Sequence, residues 1–175
     1  LASEPVCRLG AMVAGIDASH ENIEVARLHA AEQELAIRYD AATAETVAAA
    51  QPEGFDIVLA LEIIEHVADV DAFLASLHAL TRPGGIAVIT TLNRTLKSLL
   101  MAKIGAEYIL RWLPAGTHDW RKFLRPSEIV MPMQERGWRQ RDLCGMRYLP
   151  LARRFELDAG DVDVNYLLTM TKPDT

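Results

Sequence analysis

The sequence predicts an α/β domain, a mostly parallel sheet with helices on both faces. Three observations carry this. Apolar strand-like runs at 12–16, 55–60 and 86–91 alternate with helical patterns at 21–33, 43–50 and 70–80, the rhythm that builds a parallel sheet. The runs at 55–60 and 86–91 are nearly continuous rather than alternating, as in strands buried on both faces. The run FDIVLAL then breaks off into Glu62, Glu65 and His66, and open α/β sheets bind ligands just beyond the carboxyl ends of their strands.

The elements follow in order. The strand at 12–16 ends on Asp17, and Ser19 is the expected N-cap of helix 21–33, with Ile23, Val25, Ala26, Leu28 and Ala30 as its apolar positions. A weak strand at 36–39 precedes an Ala-rich helix at 43–50, stopped by Pro52 and Gly54. After the strand at 55–60 comes an amphipathic helix over Val70–Leu80, ended by Arg82-Pro83-Gly84-Gly85, and then the strand at 86–91. The rhythm then changes. Residues 92–119 are too many for an ordinary connection and carry a helix of their own at 97–113. A further helix at 126–136 opens on Pro126 and is followed by Gly137, while Pro132 predicts a kink or an early stop. Strands at 138–144 and 164–171 close the chain, separated by an irregular stretch with Tyr148, Pro150 and Phe155.

Composition bounds the function. A length of 175 residues predicts a single domain, 1–175, with a helical insertion at about 92–124. Apolar residues make up 50% of the chain, enough for a core and too many for global disorder. A net charge of −6 argues against a nucleic-acid partner. Cys7 and Cys144 form no Cys-x-x-Cys pair and read as packing thiols. No signal peptide is expected from these residues, and no apolar run reaches the ~18 residues that a spanning helix needs. Leu1 is not an initiator methionine, and LASEPVCRLGA reads as the middle of a helix turning into a strand, so a fragment of a longer chain is expected.

Three constellations carry chemistry. Asp17, after a strand and before a helix cap, is placed to accept both hydroxyls of a ribose, although an acid at a helix start also serves the helix dipole. Glu62, Glu65 and His66 have the spacing i, i+3, i+4, which on a helical turn puts all three on one face. There they suit a divalent cation, hard oxygen ligands favouring Mg²⁺, or His66 serves as a general base; a capped helix start with solvated acids is the plain alternative. Helix 97–113 sets Lys103, Glu107 and Arg111 in one polar stripe on an otherwise apolar helix ending near Trp112. It fits either a helix in a membrane interface or one packed on the sheet or used as a lid. His118 beside Asp119 follows it, a second candidate proton acceptor unless Asp119 simply caps the next turn. His20, His29 and His78 read as surface or packing residues.

These residues match a family. The stretches GIDAS with VARLHA, FDIVLALEIIEHVADV, LTRPGGIAVITTLNRTLKSLL, GAEYILRWLPAGTHDWRKFLRPSEI and DVDVNYLLTM closely resemble the bacterial ubiquinone-biosynthesis O-methyltransferases. The likeness runs from Ser3 to Met170. It implies the class I methyltransferase fold with an antiparallel C-terminal strand. It implies transfer of a methyl group from S-adenosylmethionine to a phenolic hydroxyl of a polyprenylated catechol or hydroquinone. By resemblance Asp17 binds the ribose, Ala44 lies where backbone approaches the adenine, and Leu61 packs near the adenosyl group. Glu62, Glu65 and His66 match an E-x-x-E-H run to which a divalent metal is attributed, Lys97 to Asp119 an insertion that contacts lipid. The implied setting is cytoplasmic, peripheral to the inner face of a bacterial membrane, with other ubiquinone-biosynthesis proteins as partners. The family's first strand and GCGGG loop would precede Leu1. Without them the sheet is expected to have a gap between the strands at Met12 and Ile57, and the chain by itself to bind the cofactor poorly and be inactive. Two alternatives stay open: an NAD-dependent dehydrogenase, which shares the sheet and the acid after the second strand, and a non-catalytic membrane-associated component.

Overall fold

Strands β1 (Val13–Asp17) and β2 (Ile37–Ala41) pair in parallel in the computed structural model, which describes residues 2–100, 119–149 and 154–174. They belong to the first of two compact units, Leu1–Ala50. Helix α1 (Ser3–Arg8) precedes β1, α2 (His20–Glu32) connects the strands, and α3 (Ala44–Ala50) follows β2. Ser19 starts α2 as the sequence predicts, its hydroxyl accepting from the Asn22 N–H at 3.3 Å. Only Ile23, Ala26 and Ala30 of α2 are buried, around Tyr39 with Leu35, Ile37 and Ala41. The apolar positions Val25 and Leu28 are exposed, because the 3.6-residue turn puts them on the opposite face. Arg27 reaches across to the Tyr39 carbonyl with Nε at 3.1 Å and Nη2 at 2.6 Å, and His29 pairs with Glu4 of α1 at 2.6 Å.

The second unit, Gln51–Thr175, holds a five-stranded sheet in the order β3-β4-β7-β5-β6. Its strands are β3 (Phe55–Leu61), β4 (Thr81–Leu92), β5 (Arg139–Leu149), β6 (Arg154–Asp158) and β7 (Asn165–Thr171). The β3–β4 pair is parallel and the others are antiparallel. Helix α4 (Val70–Leu80) crosses from β3 to β4 with Asp69 as its N-cap, the carboxylate accepting from the Ala72 N–H at 3.0 Å. Phe73, Leu74, Leu77 and Leu80 of α4, together with Ile129 and Met133 of α6 (Pro126–Glu135), supply the helical side of the core. Ala87 and Ile89 of β4, with Tyr166, Leu168 and Met170 of β7, supply the sheet side. The short helix α5 (Leu96–Ser98) follows β4.

Four readings are corrected. The ladder of β4 begins at Thr81 rather than Ile86, with the Arg82-Pro83-Gly84-Gly85 turn bulging between Phe55↔Thr81 and Ile57↔Ile86. Gly85 is required there, since a Cβ would lie 2.8 Å from the Arg82 carbonyl oxygen and 2.9 Å from that of Asp56. Of the two outcomes expected from Pro132 the early stop does not occur, since helix α6 runs through it to Glu135, packed by Ile129 and Met133. Strand β5 extends to Leu149, and the stretch read as irregular contains β6, the outer strand of a hairpin. The helix expected at 97–113 is described only as far as Leu100 and otherwise lies outside the described residues, as does His118.

Lys172, just past β7, ties the sheet to the end of α4. Its buried ammonium donates to the carbonyls of His78 at 3.0 Å and Thr81 at 2.8 Å, and pairs with Glu53 at 3.2 Å. A cation over the last carbonyls of a helix satisfies them and offsets the helix dipole.

Candidate active site

Asp17 is the last residue of β1, and the parallel register sets it beside Ala41, the last residue of β2. The Ala42 N–H donates to the Asp17 carbonyl at 3.0 Å, so the two strand ends leave the sheet side by side. The Asp17 carboxylate is exposed and takes one hydrogen bond on each oxygen, from the Ser19 N–H at 2.7 Å and from Asn22 Nδ2 at 3.2 Å. A carboxylate accepts about four hydrogen bonds, so lone pairs remain for a diol. The helix-start role therefore leaves acceptor capacity on this carboxylate. Ala44 opens α3 three residues after Ala41 and is buried, while Thr43 caps that helix through the Thr46 N–H at 3.3 Å. An exposed acid beside the α3 N-terminus, both at carboxyl ends of parallel strands, fits the nucleoside part of an adenosyl cofactor.

In the second unit, Leu61 closes β3 opposite Thr90 and is partly exposed. The chain then turns sharply. Glu62 has φ 51°, in the left-handed region, and its N–H donates to the Thr90 carbonyl at 3.0 Å and the Thr90 hydroxyl at 3.2 Å. A single 3₁₀ turn, Ile64–His66, follows. The three titratable residues thus do not share one face of an α-helix, which corrects the reading from their spacing. The cause is Glu62: fixed by β4 in a left-handed conformation, it cannot be the first residue of a right-handed turn.

Their environments differ. Glu65 is buried and accepts a hydrogen bond from the Thr91 hydroxyl at 2.9 Å. Its other oxygen, Oε1, lies 4.0 Å from His66 Nε2, and the His66 side chain is half-exposed. Glu62 presents surface to solvent. Even so, the protein crowded around its carboxylate raises its pKa above the usual value, the Glu65 charge adds to the rise, and a hydrogen bond with Thr90 partly opposes it. Among the described residues no three His, Cys, Asp or Glu side chains are arranged to hold a metal ion. The set Glu62, Glu65 and His66 does not fit Mg²⁺ here, because Glu65 is turned inward onto Thr91 while His66 faces out.

Thr90 and Thr91 were not among the residues singled out from the sequence. They hold Glu62 and Glu65 in place. The signal was available: two hydroxyls closing an otherwise apolar buried strand must find partners, and acids follow the neighbouring strand β3. Arg94, two residues after β4, pairs with Glu128 at the start of α6, whose other oxygen accepts from the Arg125 N–H at 2.7 Å. The carboxyl end of β4 is thereby fastened to α6.

Known proteins share this chain's sequence and its fold. A family described as a methyltransferase domain matches residues 1–89. A ubiquinone biosynthesis O-methyltransferase of Caulobacter vibrioides is 50% identical over 172 residues, 98% of this chain and 68% of that protein. One from Chelativorans sp. (strain BNC1) is 49% identical over 173 residues, 99% of this chain and 68% of that one. Among solved structures, a SAM-dependent methyltransferase of Methanosarcina mazei superposes with a TM-score of 0.69 at 13% identity, covering 97% of this chain and 85% of that one. One from Thermotoga maritima, a possible histamine N-methyltransferase, gives 0.65 at 17% identity, covering 90% and 72%. At such identities the structures speak for the class I methyltransferase fold alone.

Proposed function

The chain belongs to the ubiquinone biosynthesis O-methyltransferase family, and from that premise we propose that it transfers a methyl group from S-adenosylmethionine to a phenolic hydroxyl of a polyprenylated ring. The half-identity over 98% of the chain carries this reading. When bound, the cofactor supplies an electrophilic sulfonium methyl, so the protein's task is alignment and making a phenolate oxygen available. Asp17 accepts the ribose hydroxyls, the segment at Ala44 borders the adenine, and Leu61 offers apolar contact at the end of β3. His66 takes the phenolic proton. The Glu65 carboxylate, held by the Thr91 hydroxyl, lies 4.0 Å from His66 Nε2. His118 is the second candidate for that role.

The same proposal places the protein at a membrane surface, where a polyprenylated substrate resides. Leu96 and Leu100, four residues apart where the insertion begins, are 74% and 57% exposed, with Lys97 beside them, a composition suited to an interface. Among the described residues no helix is long and apolar enough to cross a membrane.

Calorimetric titration of S-adenosylhomocysteine and of NAD into the full-length protein is the test. S-adenosylhomocysteine is expected to bind, NAD is not, and Asp17→Ala is expected to weaken binding by about 10-fold or more, the size of one or two charge-assisted hydrogen bonds. Binding of NAD alone would overturn the proposal in favour of a dehydrogenase.

A further inference from the structure

Strand β6 ends the five-stranded sheet, paired to β5 on one side only among the described residues. Its sequence is Arg154-Phe155-Glu156-Leu157-Asp158. Phe155 and Leu157 lie on one face and are each 66% exposed. Across the hairpin Leu157 stands opposite Met146 of β5, so the apolar face continues onto the neighbouring strand. Arg154, Glu156 and Asp158 occupy the other face with Arg147, where Arg154 pairs with Glu156 at 2.5 Å and Arg147 with Asp158 at 3.9 Å. An outer strand with two exposed apolar side chains invites pairing with another strand unless charge or shape prevents it.

The order of these five residues selects the partner. Laid antiparallel against a copy of itself about a two-fold axis at Glu156, the strand sets Arg154 opposite the copy's Asp158 and Phe155 opposite the copy's Leu157. Both matches occur twice. Opposite charges and apolar side chains directly across an antiparallel pair stabilise it. The two Glu156 carboxylates meet at the axis, and each already carries its own strand's Arg154. A shift by one residue would lose these matches and set apolar against charged positions. We propose that this chain forms an isologous dimer in which the two β6 strands pair antiparallel and join two five-stranded sheets into one, since a two-fold contact needs a self-complementary patch and Arg-Phe-Glu-Leu-Asp is one.

Charge reversal tests this on surface residues that no core contact depends on. Sedimentation velocity of the full-length protein over a concentration series is expected to show a monomer–dimer equilibrium. Arg154→Asp sets two acids opposite each other, Asp158→Arg two bases, and each alone is expected to shift the species to monomer. The double variant Arg154→Asp/Asp158→Arg restores opposite pairs at the same two positions and is expected to recover the dimer. Amide exchange in β6 should slow as protein concentration rises, and more than in β1. A wild type that stays monomeric at every concentration would overturn the proposal. So would single variants that dimerise as well as wild type, which place the contact elsewhere, or a double variant that remains monomeric. Binding to lipid vesicles that requires Phe155 and Leu157, without self-association, would assign the face to a membrane instead.

Discussion

His66 ends the 3₁₀ turn after β3 and His78 lies in the last turn of α4, and their surroundings give them opposite work. His66 is half-exposed beside a buried carboxylate. Its replacement by Ala in the full-length enzyme is expected to lower kcat by about 10²–10⁴-fold, the usual size of general-base catalysis, while S-adenosylhomocysteine still binds; unchanged turnover would pass the role to His118. His78 accepts a hydrogen bond from Trp138 Nε1 at 2.7 Å, and the two rings meet edge to face. Burial lowers its pKa below 6.5, the Lys172 and Arg136 charges lower it further, and Glu53 opposes them. Arg136 itself pairs with Asp71 at 2.8 Å. Since the folded state resists protonating His78, the unfolded chain binds the extra proton. Its contribution to stability is therefore complete above pH ~6.5 and is lost as pH falls from there through the lowered folded value. Urea midpoints from pH 7.5 to pH 5 are expected to fall more steeply for wild type than for His78→Gln. Parallel profiles would show that His78 does not carry this dependence.

At the scale of elements, the caps and turns hold the frame that positions the site. Asp69 starts α4, and α4 brings Phe73, Leu74, Leu77 and Leu80 onto the core. Asp69→Ala is expected to cost about 1 kcal/mol of unfolding free energy, read as a lower denaturant midpoint at unchanged m-value. No shift would mean that Lys172 and core packing alone define the helix. The turn after β3 matters more for chemistry. Because β4 holds Glu62 in a left-handed conformation, Glu65 and His66 emerge in a 3₁₀ turn rather than along a helix face with it. The spacing i, i+3, i+4 was legible in the chain, but its geometry depended on a hydrogen bond to Thr90, 28 residues away.

In the whole molecule, the sheet of the second unit has an order that local sequence cannot express. Strand β7, last in the chain, lies between β4 and β5. Strands β4 and β7 are flanked on both sides and contribute Ala87, Ile89, Tyr166, Leu168 and Met170 to the core. Strands β1 and β3 have a ladder on one side only among the described residues, and Ile57, Leu59 and Leu61 of β3 remain partly exposed. Native-state hydrogen exchange is therefore expected to be slowest in β4 and β7 and clearly faster in β1 and β2. Uniform protection would contradict this gradient.

The sequence by itself determined the class of the fold, the order of its elements as far as β4, and the family. Apolar runs and caps set where strands and helices form, since those signals are local: Ser19 and Asp69 cap the helices predicted, and Val70–Leu80 agrees end to end. It also determined which residues end the strands, Asp17 and the acids after Leu61. Tertiary structure alone decided what surrounds those residues. Whether Glu65 faces a metal, a substrate or Thr91 depends on the neighbouring strand, because a buried carboxylate turns to the donor that satisfies it. The strand β6 was missed for a related reason. Its alternation is readable in Arg-Phe-Glu-Leu-Asp, but five residues beyond a proline outweigh little until β5 supplies the ladder that fixes them.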